Sequence, residues 1–268
     1  MNIKSDYTIV SDTKRRNNPL LPTNIRMLLV GKSNCGKTTV LFNLLLQPDW
    51  IDYTDLYVFG NSLHQQVYQV LKKGYESGLS KEQISNLFSN QKALKNNKLS
   101  PLAAINEYTK QHGIQSIKIK TYFYSSCDSI PDPAELKETN KNLMVLDDCF
   151  LGPQNKAEAY YTRGRHNNCD VIYITQNYFR LPRHTIRENA NFIILFPQDA
   201  KNLTHIYNDH CSFDMDLSEF KEFCHRVWGD PEVNKTHNFV TIDVSSSKYN
   251  GRYRKNLDVF YFPRSKME

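Results

Sequence analysis

The sequence predicts an α/β fold in which a central, mainly parallel sheet is flanked by helices and followed by a C-terminal β-hairpin. Three observations predict it. Short apolar runs at residues 25–30, 55–60, 142–149, 170–177 and 191–196 are separated by stretches of helical periodicity. Several of these runs are apolar throughout and then break into polar residues, as strands do when both faces are covered and ligands gather at their carboxyl ends. Finally, residues 238–244 and 256–262 alternate apolar and polar side chains around a polar loop containing Asn250-Gly251, the pattern of a long-looped hairpin.

The first run opens into Gly31-Lys32-Ser33-Asn34-Cys35-Gly36-Lys37-Thr38-Thr39. Gly31 and Gly36 hold the G-x-x-x-x-G-K-[ST] spacing of a phosphate-binding loop, whose backbone turns tightly and aims consecutive N–H groups at a polyphosphate. Lys37 then reaches the β- and γ-phosphates, and the Thr38 hydroxyl ligates Mg²⁺. A helix over residues 39–46 follows, with the positive end of its dipole toward the anion. A plain glycine turn between strand and helix explains the glycines but not Lys37-Thr38. The loop from Gly31 to Thr39 is therefore the candidate nucleotide-binding element of a P-loop NTPase, with ATP and Mg²⁺ as its expected ligands.

Two further strand ends carry chemistry. Leu143-Met144-Val145-Leu146 runs into Asp147-Asp148. Beside a phosphate loop such a pair divides its work: Asp147 holds the Mg²⁺ shell and Asp148 polarises the attacking water. A surface Asp-Asp turn is the plain alternative. The run Val171-Ile172-Tyr173-Ile174-Thr175 ends at Gln176, whose amide can bond the γ-phosphate or its water and report hydrolysis to the rest of the molecule. A capping amide without a catalytic part is the other reading.

The remaining chain reads as follows. Residues 1–22 form a polar arm with the basic stretch Lys14-Arg15-Arg16, and residues 23–268 form one P-loop ATPase domain. Residues 63–116 are a helical, lysine-rich insertion, and residues 117–124 alternate as a half-exposed strand. Helices are expected at 155–166, 200–208 and 217–227, the last two within a C-terminal extension over 200–268. The net charge of +6 is unevenly spread: Lys72 to Lys120 holds nine lysines against three acids, which suits either an anionic polymer or a solvated helical surface.

Six single cysteines without a C-x-x-C pair indicate neither a disulfide framework nor a zinc ribbon, and all six are expected to be reduced. His205, His210, Cys211, Cys224 and His225 cluster in sequence at spacings that fit no common zinc pattern. No run of about eighteen apolar residues and no signal-peptide stretch is present, so a soluble, intracellular protein without a membrane anchor is expected.

Taken together, Gly31 to Thr38, Leu143 to Asp148, Arg163-Gly164-Arg165-His166 and the run from Val171 to Phe179 resemble the DNA-packaging ATPases of poxviruses, other large DNA viruses, virophages and Polinton-type elements. These belong to the FtsK-HerA class of ring-forming P-loop motors. The resemblance covers about residues 25–200 and implies a double-stranded DNA translocase that hydrolyses ATP to fill a viral or virus-like capsid. It implies a homo-oligomeric ring, hexameric or pentameric, and a capsid or portal-like vertex partner. It also places the protein at the site of virion assembly in the host cell, or with the virion. Asp147-Asp148 matches the class's acid pair, and Gln176 its sensor. Arg165, or else Arg163, matches an arginine finger offered to the neighbouring subunit, with Arg180, Arg183 and Arg187 as alternatives or as lining of the DNA path. Asp148 departs from the Glu of many relatives by one methylene. Two other readings stay open: a small-molecule or nucleotide kinase, and a cellular or plasmid DNA pump of the same class.

Overall fold

The computed structural model describes residues 17–89, 100–114, 116–149, 154–229 and 237–264. They form a nine-stranded sheet: β1 (Arg26–Val30), β2 (Asp55–Gly60), β3 (Lys120–Tyr124), β4 (Asn142–Asp147), β5 (Cys169–Thr175), β6 (Phe192–Leu195), β7 (Val240–Asp243), β8 (Tyr253–Lys255) and β9 (Val259–Tyr261). The spatial order is β3-β2-β4-β5-β1-β6-β7-β8-β9. β3 through β6 of that order pair in parallel, and β7, β8 and β9 join antiparallel. The predicted α/β class with a mainly parallel sheet is the observed one.

The uninterrupted apolar runs follow from burial on both faces. Successive strand side chains point to opposite sides, and every position of β4, β5 and β6, and of β1 after Arg26, is buried. Leu28, Val30, Met144, Leu146, Val171, Tyr173, Ile193 and Leu195 belong to one apolar cluster. Three helices contribute to it: α5 (Gln154–Arg163), α6 (Ala200–His210) and α7 (Leu217–Trp228). Met27, Leu29, Leu143, Val145, Ile172, Ile174, Phe192 and Ile194 belong to the other. There the helices are α1 (Lys37–Leu46), α2 (Gln66–Glu76), α3 (Lys81–Ser89) and α4 (Pro101–His112).

Four details differ from the sequence reading. The tail is three strands rather than a two-stranded hairpin: Tyr253–Lys255, read as loop, is β8, and a tight turn at Asn256, with φ 53°, sends the chain back as β9. A three-residue strand is too short to show a period. The predicted strand over 117–124 is regular only over Lys120–Tyr124. The end of the arm is packed: Leu21 is fully buried, and the Asn17 side-chain amide donates to Asp170 Oδ2 at 2.9 Å. Residues 1–16, with the basic stretch of the arm, and 90–99, with Lys92, Lys95 and Lys98, lie outside the described residues.

The fourth correction concerns the cysteines. Cys127 and Cys149 form a disulfide with their Cα atoms 5.8 Å apart. They stand 22 residues apart in sequence and meet because β3 and β4 flank the same strand, β2, a closeness that spacing does not reveal. Cys35, Cys169, Cys211 and Cys224 are free thiols.

The histidine and cysteine group of the C-terminal extension is part of the packing. Cys211 and Cys224 are buried in the core, His225 meets Trp228 edge-on, and His205 stacks on Phe179. His210 is buried with Nε2 2.8 Å from the Tyr178 hydroxyl. Burial lowers its pKa from 6.5 to about 4, with Arg252 and Arg187 acting the same way and Asp209 opposing. The unfolded chain therefore takes up a proton below pH 6.5 that the folded chain refuses until about pH 4. The His210 contribution is fully present above 6.5 and is lost as the pH falls through that window, by roughly 3 kcal/mol at the upper bound. Urea unfolding from pH 7 to pH 4 is expected to show this slope, and His210→Gln to flatten it. An identical slope in both proteins would contradict the assignment.

Candidate active site

The carboxyl ends of β1, β2, β4, β5 and β6 share one edge of the sheet, and the predicted motifs meet there. Gly31 follows β1 directly, its N–H bonded to the Thr175 carbonyl at 3.0 Å. A side chain there has no room: a β-carbon on Gly31 would lie 2.5 Å from Cys35 Sγ and 2.7 Å from Phe196 Cβ. The loop then turns through Asn34, φ 61°, and Gly36, φ 105°, both left-handed. Gly36 caps α1 without any side-chain bond, so the first N–H groups of the helix stay available to an anion.

Lys37 Nζ donates to the carbonyls of Gly31 and Lys32 at 2.6 and 2.7 Å, which holds the ammonium across the mouth of the loop. Ser33, Asn34, Gly36, Lys37, Thr38 and Thr39 all line one cavity of about 440 Å³, while Gly31 and Cys35 shape the loop from beneath. Burial raises the Cys35 thiol, and Lys37 opposes.

Asp147, Asp148 and Gln176 line the same cavity. Asp148 sits at φ 54°, an uncommon conformation for a residue with a side chain, and its N–H is bonded to the Ile174 carbonyl at 3.0 Å. That turn separates the two acids. Gln176 Nε2 donates to Asp148 Oδ2 at 3.2 Å, and Gln176 Oε1 accepts from Ser33 Oγ at 3.1 Å. A continuous chain of hydrogen bonds thus runs from Ser33 of the loop through the Gln176 amide to the Asp148 carboxylate.

Asp147 is nine-tenths buried and accepts the Tyr68 hydroxyl at 2.7 Å. Burial raises its carboxyl above the ordinary range; the Tyr68 bond lowers it, Asp148 raises it and Lys37 lowers it. Tyr68 belongs to α2, so the first helix of the lysine-rich segment reaches the site. Sequence reasoning missed this residue because a tyrosine on an amphipathic helix looks like any core aromatic. Gly60 was missed for a different reason, since it offers no functional group. It pairs with Asp147 in register, and a β-carbon on it would lie 2.7 Å from the Asp147 carbonyl oxygen. Ser62, Gln65 and His237 also line the cavity, and no motif marked them.

The oxygen donors suit Mg²⁺. Thr38 and Asp147 supply a hydroxyl and a carboxylate to the lining of the cavity, and Mg²⁺ takes one or two such ligands with the rest from substrate phosphates and water. Among the described residues no group of three His, Cys, Asp or Glu could hold a metal by itself.

Arg163 and Arg165 are not brought to this cavity. They sit where α5 hands over to β5, at the amino end of that strand, and Gln176 follows its carboxyl end. Seven strand residues set them roughly 20 Å away. Arg163 pairs with Asp132 at 2.9 Å, and Arg165 is close enough to Arg26 to lower its pKa, though less than burial does. Of the alternatives, Arg187 is buried against Asp209 at 3.2 Å with Tyr178 beneath it, Arg183 pairs with Glu188 at 3.2 Å, and Arg180 is exposed.

No protein-family model and no curated protein matches the sequence. Among solved structures, the chain is similar to the genome packaging NTPase B204 from Sulfolobus turreted icosahedral virus 2 in complex with sulfate, at TM-score 0.51 and 12% identity over 90% of this chain and 99% of that one. Against the same protein in complex with ATP-gammaS the TM-score is 0.50 at 13% identity, over 87% of this chain and 96% of that one. The likeness at these identities is one of fold. The chain has a mainly parallel α/β fold with a phosphate loop, the fold it shares with that genome packaging NTPase.

Proposed function

We propose that the protein is an ATPase, converting ATP and water to ADP and phosphate, and that it uses hydrolysis to drive double-stranded DNA into a viral or virus-like capsid. The observation that carries the reading is the hydrogen-bonded chain Ser33–Gln176–Asp148, which couples the phosphate loop to the carboxylate placed for water and to the sensor between them. The N–H groups of the loop and Lys37 bind the phosphates and offset the charge that develops on the γ-phosphoryl oxygens. Asp148 accepts a proton from the attacking water and holds it in line. Tyr68 fixes the carboxylate of Asp147. Thr38 and Asp147 would hold Mg²⁺, which would supply positive charge against the phosphates. Gln176 touches both the loop and Asp148, so a change on either side moves it.

Arg165 or Arg163, placed at the opposite end of β5, serves the site of a neighbour. The proposed assembly is a hexameric or pentameric ring at a capsid or portal-like vertex, at the site of virion assembly. The lysines from Lys72 to Lys120, or else the exposed Arg180 and Arg183 of the 180–187 segment, are the proposed DNA-facing cations, acting on phosphates and therefore salt-sensitive and sequence-tolerant, while Arg187 is buried against Asp209. Among the described residues no helix is long and apolar enough to cross a membrane.

The test is ATP hydrolysis with and without double-stranded DNA of several unrelated sequences. Stimulation by every duplex, falling steeply between 50 and 200 mM salt as expected for on the order of six phosphate contacts, is the predicted result. Indifference to DNA, with phosphate passed to a small acceptor instead of water, would point to a kinase and overturn the reading.

A further inference from the structure

The strand order says where the rest of a nucleotide must go. Asp147 and Asp148 end β4 and Gln176 follows β5, and both strands lie on one side of β1. The γ-phosphate, which needs Lys37, the acids and the sensor, faces that side. The α-phosphate and nucleoside therefore leave the loop toward the other side, over β6 and β7. The wall there is His237. It lines the same cavity as the loop and the acids, and its Cβ and Cγ lie 3.3 and 3.5 Å from the point a β-carbon on Gly36 would occupy.

The segment carrying His237 is held in place. Phe239 packs its ring against Phe196, centroids 5.5 Å apart, and Phe196 also reaches within 3.5 Å of the same point at Gly36. The Phe239 N–H donates to Asn256 Oδ1 at 3.2 Å, and the Asn256 N–H donates to the Phe239 carbonyl at 2.8 Å. Asn256 Nδ2 donates to Asn238 Oδ1 at 3.3 Å. The C-terminal strands thereby fix the backbone two residues from His237, while the imidazole itself is exposed to the cavity. A flat ring, held beside the end of a phosphate loop and opposite the catalytic carboxylates, has the chemistry of a surface for a nucleobase.

We infer that His237 is the base-binding residue of the site, stacking its imidazole on the purine of the bound nucleotide. This rests on the reading of the cavity as a nucleotide site and adds to it the part of the ligand that the loop motif does not read. It also gives the C-terminal antiparallel strands a task, since Asn256 between β8 and β9 anchors the segment that carries the ring.

The experiment is calorimetric titration of the full chain, wild type, His237→Ala and His237→Trp, with ATP, ADP and inorganic tripolyphosphate. Stacking on one base is worth enough for His237→Ala to weaken ATP and ADP by roughly tenfold, with tripolyphosphate unchanged within about twofold. His237→Trp is expected to keep ATP affinity, and its added indole fluorescence to be quenched by ATP but not by tripolyphosphate. Equal ATP affinity in wild type and His237→Ala would overturn the inference while leaving the site as a nucleotide site. An equal loss for ATP and tripolyphosphate would also overturn it, by making His237 a phosphate contact. Wild-type protein that binds neither ligand would overturn the nucleotide reading itself and this inference with it.

Discussion

Asp148→Asn is expected to bind ATP and retain it, with hydrolysis slowed by at least about a hundredfold, the usual worth of a positioned general base. The substitution removes the charge and the proton acceptor, and it spares the fold for a specific reason. Asp148 adopts φ 54°, and asparagine is among the few residues with a side chain that tolerate the left-handed region. Its amide oxygen can still accept from Gln176 Nε2, which donates to Asp148 Oδ2 at 3.2 Å. Alanine at this position would confound strain with lost chemistry. Single-turnover hydrolysis and filter binding of ATP on the same preparation separate the two effects. Undiminished hydrolysis would remove Asp148 from its assigned role.

Gly60→Ala is expected to reduce turnover by roughly a hundredfold, the scale of a displacement of about 1 Å in a catalytic group, although Gly60 has nothing to offer chemically. Its register partner across the β2–β4 ladder is Asp147. A β-carbon on Gly60 would stand 2.7 Å from the Asp147 carbonyl oxygen and 2.9 Å from its Cβ. Neither atom can swing aside as a side-chain tip could, so the strand ends must part. That overpacking costs about 1–3 kcal/mol of stability and moves the carboxylate that Tyr68 holds. Thermal unfolding and the Mg²⁺ dependence of turnover should change together. Normal turnover with normal Mg²⁺ dependence would show that the carboxylate does not depend on this close approach.

What could be read from the sequence was whatever chemistry fixes at short range. The phosphate loop is one contiguous turn, so Gly31, Gly36, Lys37 and Thr38 declare themselves by spacing. Asp147, Asp148 and Gln176 stand out because a strand buried on both faces is apolar until it reaches the ligand. His237 comes to the cavity, and Tyr68 and Gly60 come to Asp147 in its wall, from tens of positions away, through the crossovers that order the sheet. Nothing in their immediate neighbours distinguishes them from a core aromatic, a strand-end glycine or a surface histidine. The disulfide was hidden in the same way, since Cys127 and Cys149 are partners only because β3 and β4 both pair with β2. In the C-terminal extension the sequence of β8 reads as loop, because Tyr253–Lys255 is held by its neighbours on both sides rather than by its own periodicity.

The arginines test the account at its centre. Arg163 and Arg165 stand at the far end of β5 from the loop their own subunit carries, so if either is the cation that joins Lys37 on the γ-phosphoryl, it serves the loop of another copy. The direct measurement is ATP turnover per chain across a wide range of protein concentration, with double-stranded DNA present. The account predicts low turnover when dilute, a steep rise as subunits assemble, and loss of that rise in Arg165→Ala or, failing that, in Arg163→Ala. Turnover per chain that is the same at every concentration, and unaffected by either substitution, would contradict a site completed by a neighbour.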